Sequence, residues 1–203
     1  MSRLTRALAT VALLAAGGVA IATAPTDDTI VAPFLERGEV GEPIESRLAT
    51  VLVDEVSVAR ELDLSYAEGA LFGAPVPDTR SAGVWVVVSL DVTATYRGID
   101  LGSSEVRIDG VRYRASTVLP DPDLQSFAFD PGVTVRGSIA FELPASAVRS
   151  PGASRAELVF LPRAVPSLDS VPTVRVDLRA LPVAHVAEVD GARAVDSVEG
   201  AGG

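Results

Sequence analysis

The sequence has no cysteine, no lysine and no asparagine, and it has a single histidine among its 203 residues. Without cysteine, the chain cannot form a disulfide, a thiolate zinc site, a thiol nucleophile or a lipid-modified lipobox cysteine. Without lysine, it cannot form a Schiff base or the P-loop that binds nucleotide phosphates. These absences exclude several enzyme classes and one common mode of membrane attachment.

Positive charge and aromatic rings are also scarce. All 17 basic residues are arginines, against 27 acidic residues, so the net charge is -10. Because affinity for nucleic acids comes mostly from neutralising phosphates, we expect no nucleic-acid partner. Aromatic residues make up 5% of the chain. This low content disfavours a sugar site, since such sites stack sugar rings on aromatic side chains.

The N-terminal segment, residues 1–24, differs from the rest of the chain. Arg3 and Arg6 precede an uncharged run rich in alanine and leucine, Ala7–Ala24. As an α-helix this run would be about 27 Å long, which just crosses a thin hydrocarbon core. An uncleaved signal anchor is the favoured interpretation and a cleaved signal peptide is the alternative. Both place the remaining chain outside the cytoplasm, whereas a buried core helix would need an amphipathic spacing that this run lacks.

The rest of the chain divides by composition into three parts. Residues 25–45 have the composition of a linker, and residues 183–203 that of a flexible acidic tail. In residues 46–182 apolar and polar residues alternate as in half-buried strands. We expect about seven strands there: 48–62, 83–96, the two strands of a hairpin over 104–117, 133–143, 155–161 and 173–179. They predict an all-β fold, an immunoglobulin-like antiparallel β-sandwich, with a small closed barrel as the alternative.

Two strands and one turn give further detail. In the first strand the apolar alternation shifts after Val53, which indicates a β-bulge or a strand that switches sheets. The strand from Gly83 is apolar on both faces at its start, so we expect it to be central. The dipeptide Asp109-Gly110 predicts a two-residue hairpin turn. Pairing outward from this turn predicts a buried face of four residues: Ile108 opposite Val111, and Val106 opposite Tyr113.

Four motifs in order resemble a known bacterial family. They are Gly41-Glu42-Pro43, the strand Gly83–Val88, the turn Asp109–Tyr113, and Gly137–Pro144 after the Pro131-Gly132 turn. Together they resemble the immunoglobulin-like extracytoplasmic domain of Gram-positive lipoproteins and actinobacterial exported proteins, a group similar in structure to a small secreted mycobacterial antigen. The resemblance covers about residues 40–180 and implies a sandwich fold and export, with no catalytic residues. Many members carry a lipobox cysteine, which this chain lacks.

Few side chains offer chemistry for catalysis or metal binding. His185 has no second histidine or cysteine with which to hold a metal, and no nucleophile-elbow motif accompanies any serine. Asp121 and Asp123 lack the further oxygen ligands and the glycine of a calcium loop, which favours solvated turn residues. We therefore expect no catalytic residue, no metal and no cofactor.

Two groups of side chains are candidates for interaction with a partner. Trp85 and Val87 lie on the less apolar face of the central strand. They either belong to the core, which is favoured, or form an exposed apolar patch that anchors a partner. As a core residue, Trp85 would pack under the loop 65–82 or under the linker.

The second group is the other face of the predicted hairpin. Arg107 faces Arg112 there, and Glu105 faces Arg114. Arginine suits the binding of carboxylate and phosphate groups, although a solvated face balanced by Glu105 is the favoured interpretation.

These observations predict a non-enzymatic β-sandwich with its C-terminal domain outside the cell membrane, held in the membrane through residues 7–24. We expect it to act as an interaction module for an unknown envelope protein or membrane complex. The alternative is a secreted module that binds a small ligand or a cell-wall glycan.

Overall fold

A computed structural model of the chain describes residues 33–67, 79–95, 98–162 and 169–195. All of them belong to Pro33–Gly203, one of the two units into which the chain divides. The predicted signal anchor or signal peptide, residues 1–24, lies outside the described residues. Among the helices that the structure describes, none has the length and apolar character needed to cross a membrane.

Strands dominate the described part of the chain. They are β1 (Phe34–Gly38), β2 (Pro43–Glu45), β3 (Ala49–Asp63), β4 (Arg80–Ala94), β5 (Glu105–Ile108), β6 (Val111–Arg114), β7 (Thr134–Leu143), β8 (Ala156–Val159), β9 (Ser170–Val176), β10 (Val183–Glu188) and β11 (Arg193–Ala194). A short helix, α1, spans Ala145–Val148, and 3-10 turns span Ser65–Ala67 and Pro151–Arg155.

The strands form two sheets that pack face to face as a β-sandwich. Sheet A has the order β1-β9-β8-β5-β6, and sheet B has the order β10-β3-β4-β7-β11, with β2 also paired to β3. Neighbouring strands are antiparallel except for two parallel pairs, β1 with β9 and β10 with β3. The inward-facing side chains of both sheets form the main core, whose largest fully buried members include Phe129, Phe141, Phe160, Leu90, Ile139 and Leu158.

The two longest strands confirm the details predicted for them. β4 lies between β3 and β7, and its residues from Val84 to Val88 are all buried, as expected of a strand covered on both faces. In β3 the register shifts between Val53 and Glu55, which is the predicted bulge. A second shift between Ala59 and Glu61 has no counterpart in the apolar pattern.

The hairpin has the predicted register, from Ile108 opposite Val111 outward to Glu105 opposite Arg114. Both turn residues have positive φ, 49° at Asp109 and 79° at Gly110, as a two-residue hairpin turn requires. The predicted buried face is smaller than expected, since Val111 is 51% exposed. It lies beside the turn on β6, the outermost strand of sheet A, so no further strand covers it.

Four strands arise in segments that were predicted to be irregular. β1 and β2 lie within residues 25–45, the predicted linker, and β10 and β11 lie within residues 183–203, the predicted flexible tail. For these strands both predictions are wrong. All four are short strands at sheet margins, where backbone hydrogen bonds to one neighbour are sufficient and the side chains need no strict alternation.

Candidate anion-binding face

Trp85 and Val87 belong to the interior and not to an exposed patch. Trp85 is 3% exposed and Val87 is 2% exposed. The indole Nε1 of Trp85 donates a hydrogen bond to the carbonyl oxygen of Thr79 at 2.8 Å, which satisfies its one polar atom. The favoured core interpretation is confirmed, and these two residues are unavailable as an interaction surface.

The predicted loop 65–82 does contact the surroundings of Trp85, through Thr79 and Tyr66, and further segments that were not predicted also cover it. Trp85 and Val87 project from the outer face of sheet B into a second apolar cluster. Its other buried members are Ala59, Leu62, Leu64, Leu119, Ala140, Ala187 and Val189. Part of this cover comes from the segment that begins with β10, which composition alone had indicated to be a flexible tail.

The arginines that the hairpin presents belong to a larger set on the outer face of sheet A. Because successive residues of a strand point to opposite faces, Arg175, Glu157, Arg107 and Arg112 share one face. They are in register across the neighbouring strands β9, β8, β5 and β6. Arg37 on β1, Glu105 on β5 and Arg114 on β6 lie on the same face. We call this set of five arginines and two glutamates the arginine face: Arg37, Arg107, Arg112, Arg114, Arg175, Glu105 and Glu157.

Both glutamates of the arginine face are held in ion pairs. Glu105 Oε1 lies 2.6 Å from Arg107 Nε, and the Glu105 side chain is only 6% exposed. Glu157 Oε1 lies 3.3 Å from Arg37 Nε. Arg107 is therefore committed to a nearly buried carboxylate and has a largely structural role.

Three arginines of the face have no acidic partner among the described residues. Among the residues that the structure describes, Arg112, Arg114 and Arg175 make no ion pair, and all three are exposed. Of the three arginines that the sequence indicated, two are thus free to bind and one is engaged. The free guanidinium groups lie at both sides of the face, Arg175 on β9 and the other two on β6.

A shallow hollow of about 410 Å³ adjoins the arginine face at the end of β9. It is lined by Ser154, Arg155, Glu157, Arg175, Val176 and Asp177. Arg155, from the 3-10 turn before β8, adds a further cation beside Arg175. The charged residues of its lining are two arginines, Arg155 and Arg175, and two acidic residues, Glu157 and Asp177, so their formal charges balance.

Sequence reasoning missed Arg175 and Arg155 because it could not tell which strands are neighbours. The alternation Val174-Arg175-Val176 does show that Arg175 points away from the core. However, only the pairing of β9 with β8, and of β8 with β5, brings it into one row with the hairpin arginines. This juxtaposition joins residues far apart in the chain.

The aspartates considered for cation binding act as turn residues. Asp123 Oδ1 accepts hydrogen bonds from the backbone N–H groups of Gln125 at 2.8 Å and Ser126 at 2.9 Å. The Ser126 hydroxyl also donates to Asp121 Oδ1 at 3.0 Å. Over the described ranges, no three His, Cys, Asp or Glu side chains gather in a group that could hold a metal. His185 lies exposed on β10.

Tyr66 lies against this loop. Its hydroxyl donates a hydrogen bond to the carbonyl oxygen of Pro120 at 2.8 Å. Burial first, and then the negative charges of Asp123 and Asp121, raise the pKa of Tyr66 to about 12. The interaction joins the 3-10 turn after β3 to the loop that follows β6.

Comparisons with known proteins show only distant likenesses. No protein-family model matches the chain, and no curated protein matches it in sequence. Among solved structures the chain is similar to the yjhA protein from Bacillus subtilis, with 10% identity and a TM-score of 0.46, over 67% of this chain and 98% of that one. It is also similar to an uncharacterized β-sandwich protein from Clostridium difficile 630, with 14% identity and a TM-score of 0.46, over 74% and 99% of the two chains.

A candidate lipoprotein from Staphylococcus aureus has 13% identity and a TM-score of 0.44, over 74% of this chain and 97% of that one. At these values the comparisons assign neither a family nor a function. The resemblance to the extracytoplasmic domain of actinobacterial exported proteins therefore stays a prediction.

Proposed function

We propose that this chain is a non-enzymatic, immunoglobulin-like β-sandwich that works outside the cytoplasm and binds an acidic partner protein through the arginine face. The observation that supports this proposal is the charge of that face. It carries five arginines against two glutamates, in a chain whose net charge is -10. The partner would be an envelope protein or a membrane complex.

The chemistry of arginine suits such a partner. The planar guanidinium group binds carboxylates through two parallel hydrogen bonds and keeps its charge at any physiological pH. Neighbouring strands are about 4.8 Å apart, so Arg112 lies one strand spacing from Arg107. Arg175 lies two spacings from Arg107 on the other side, with Glu157 between them. An extended acidic segment could meet several of them at once.

The local energetics also favour a binding role. Arg107 and Arg112 lie directly opposite each other in the hairpin, and like charges in this position destabilise a pair of strands. The ion pair of Arg107 with Glu105 offsets part of that repulsion, and an anionic ligand would relieve the remainder. Because the rest of the molecule is acidic, an acidic partner would be repelled elsewhere and steered towards this face.

The location outside the cytoplasm rests on the N-terminal sequence. Arg3, Arg6 and the apolar run Ala7–Ala24 favour an export signal or a membrane anchor. The intact mass of the protein from membrane and culture-medium fractions tests this part. A full-length mass in the membrane supports the anchor, and a mass beginning near residue 25 in the medium supports cleavage.

The binding proposal is tested with a fluorescent deca-glutamate peptide as the probe, titrated with the full chain in fluorescence anisotropy. The variant Arg112→Ala/Arg114→Ala/Arg175→Ala removes the unpaired cations of the face. The matched control is Arg60→Ala/Arg149→Ala/Arg193→Ala, which makes the same change in net charge at exposed arginines elsewhere.

We expect the first variant to weaken peptide binding by about 10-fold or more and the control by about 2-fold or less. The affinity of the unmodified chain should also fall as salt is added. Equal losses in the two variants, or binding of phosphatidylglycerol vesicles without binding of the peptide, would overturn the proposal of an acidic protein partner.

The alternative of a glycan-binding module has less support. Sugar sites use exposed aromatic rings, and among the described aromatic residues only Phe34, at 62%, is largely exposed. A reproducible hit on a glycan array that is lost in Phe34→Ala would favour this alternative.

A further inference from the structure

β10 is an edge strand with an unusual composition for its position. It pairs with β3 on one side and forms the margin of sheet B. Its sequence, Val-Ala-His-Val-Ala-Glu, has no charged residue before Glu188 at its end. Natural proteins usually protect exposed edges with charges, prolines or very short strands.

The other marginal strands of this molecule do carry such protection. The protecting features are Glu36 and Arg37 in β1, Pro43 and Glu45 in β2, Arg112 and Arg114 in β6, and Arg193 in the two-residue β11. In β10, by contrast, Val183 is 45% exposed and Val186 is 44% exposed. Among the described marginal strands, β10 is thus the one suited to accept another strand.

The two ends of β10 have opposite charge. At its beginning, a hollow of about 250 Å³ beside Val183 has Arg149 and Arg179 as its charged lining residues. At its end, Glu188 is in register with Asp63 of β3. Asp63 and Glu61, the latter in an ion pair with Arg80, also line the hollow beside Val186. The edge therefore runs from a basic end to an acidic end.

We propose that two copies of the chain pair through β10, antiparallel and related by a two-fold axis. This arrangement brings the basic end of each β10 against the acidic end of the other, so both ends are complementary at once. It also satisfies the outward backbone groups of the edge. The net charge of -10 opposes self-association, so a contact must bring unlike charges together, as this one does.

The first test measures association by size-exclusion chromatography with light scattering, using the full chain in detergent from about 10 µM to about 1 mM. Val186→Arg places a charge in the middle of β10. The control is Val111→Arg, because Val111 is a similarly exposed valine on β6, the margin of sheet A. We expect the first variant to lower the association constant by about 10-fold or more and the control by about 2-fold or less.

The second test examines the antiparallel charge match. Arg179→Glu and Glu188→Arg should each weaken association by about 5-fold, and the double variant should restore it to within about 2-fold, because the two ends exchange charge. If the double variant associates as weakly as the two single losses multiplied together predict, the two-fold arrangement is overturned.

A covalent test uses the absence of cysteine from the chain. Any disulfide in Val186→Cys must join two molecules, and two thiols lose two protons and two electrons to an added oxidant, oxidised glutathione, as the bond forms. We expect Val186→Cys to dimerise at least about 10-fold faster than Val111→Cys. Equal rates would refute pairing with Val186 at the two-fold axis, and a monomer at every concentration in the first test would refute pairing through β10.

Discussion

The outer faces of the two sheets differ in how their charged groups are satisfied. The outer face of sheet B carries four acidic residues, Asp54, Glu55, Asp91 and Glu142, and two arginines, Arg136 and Arg193, which lie opposite each other on β7 and β11. Arg136 makes two hydrogen bonds to Asp91, at 2.6 Å and 2.7 Å, and lies 3.4 Å from Asp54. These interactions raise the pKa of Arg136 further above its usual range. On sheet A, by contrast, three arginines make no ion pair with a described residue.

The comparison extends to the neutral groups of sheet B. The hydroxyls of Thr93 and Thr134 are 2.8 Å apart, and those of Ser89 and Ser138 are 3.2 Å apart. Apolar side chains cover the remainder of this face in the cluster around Trp85. Apart from Arg193 on the marginal strand β11, sheet B thus satisfies its outer polar and charged side chains largely within the fold, whereas on sheet A three exposed arginines make no ion pair with a described residue. The difference indicates that the outer face of sheet B serves stability and that the arginine face is the one available to a partner.

The largest expected effect comes from truncating a buried side chain in the covered part of the outer face of sheet B. Trp85→Ala removes a large buried side chain and leaves a cavity in the second cluster, so we expect a loss of about 3–5 kcal/mol in the free energy of unfolding. Urea denaturation followed by circular dichroism measures the loss. Phe34→Ala, at an exposed aromatic residue of sheet A, is the control and should change stability by less than about 0.5 kcal/mol. Comparable losses in both variants would contradict the assignment of Trp85 to the core.

The ion pair at the open part of sheet B should have a smaller effect. Asp91→Ala removes both hydrogen bonds to Arg136, and the Arg136 side chain is 40% exposed, so water compensates for part of the loss. We expect a cost of about 1.5 kcal/mol in the free energy of unfolding. Arg112→Ala on the arginine face should cost less than about 0.5 kcal/mol, because no ion pair is lost. An equal cost at the two sites, measured by urea denaturation, would remove the distinction between the faces.

The sequence predicted the parts of this fold that local chemistry determines. Asp109-Gly110 predicted the hairpin and its register because a two-residue turn requires two positive φ angles, which this dipeptide adopts readily. The shift after Val53 predicted the bulge in β3 because every residue on the core side there is apolar. These features depend on neighbours in the chain, and a single sequence contains that information.

The remaining features depend on pairing between distant segments. β10 lies parallel to β3 and contributes cover for Trp85, but its side chains show no strict alternation, so composition indicated a tail. The arginine face likewise needs β9, β8, β5 and β6 side by side. Two of the three unpaired arginines, Arg112 and Arg114, were therefore predictable, and Arg175 was not.

Tyr66 provides a pH-dependent test of the covered part of sheet B. Its pKa rises from the ordinary tyrosine value of 10.0 to about 12 in the folded protein. The folded state thus holds the phenolic proton more tightly than the unfolded state. This contribution is complete below pH 10 and is lost as the pH rises through about 12.

Tyr66→Phe should cost about 1 kcal/mol at pH 8 through the lost hydrogen bond to Pro120. Between pH 10 and 12 the unmodified protein should lose more stability than the variant, so the two unfolding curves should converge. Urea denaturation at pH 8 and pH 11 measures the difference. A gap between the two proteins that stays constant with pH would show that Tyr66 is not held in this way.

The smallest expected effect on the free energy of unfolding comes from a substitution on the outer face of sheet A. Arg112→Glu replaces a like-charge pair with Arg107 by an opposite-charge pair across the hairpin, so the free energy of unfolding should rise by about 0.5 kcal/mol. The same change removes a cation from the arginine face and should weaken binding of the deca-glutamate probe. A variant that is more stable but binds less well would show that this arginine is retained at a cost to stability. Arg60→Glu is the control at an exposed position of sheet B. If Arg112→Glu instead destabilises the fold while binding is unchanged, Arg112 has a structural role and the two faces do not differ in the way argued above.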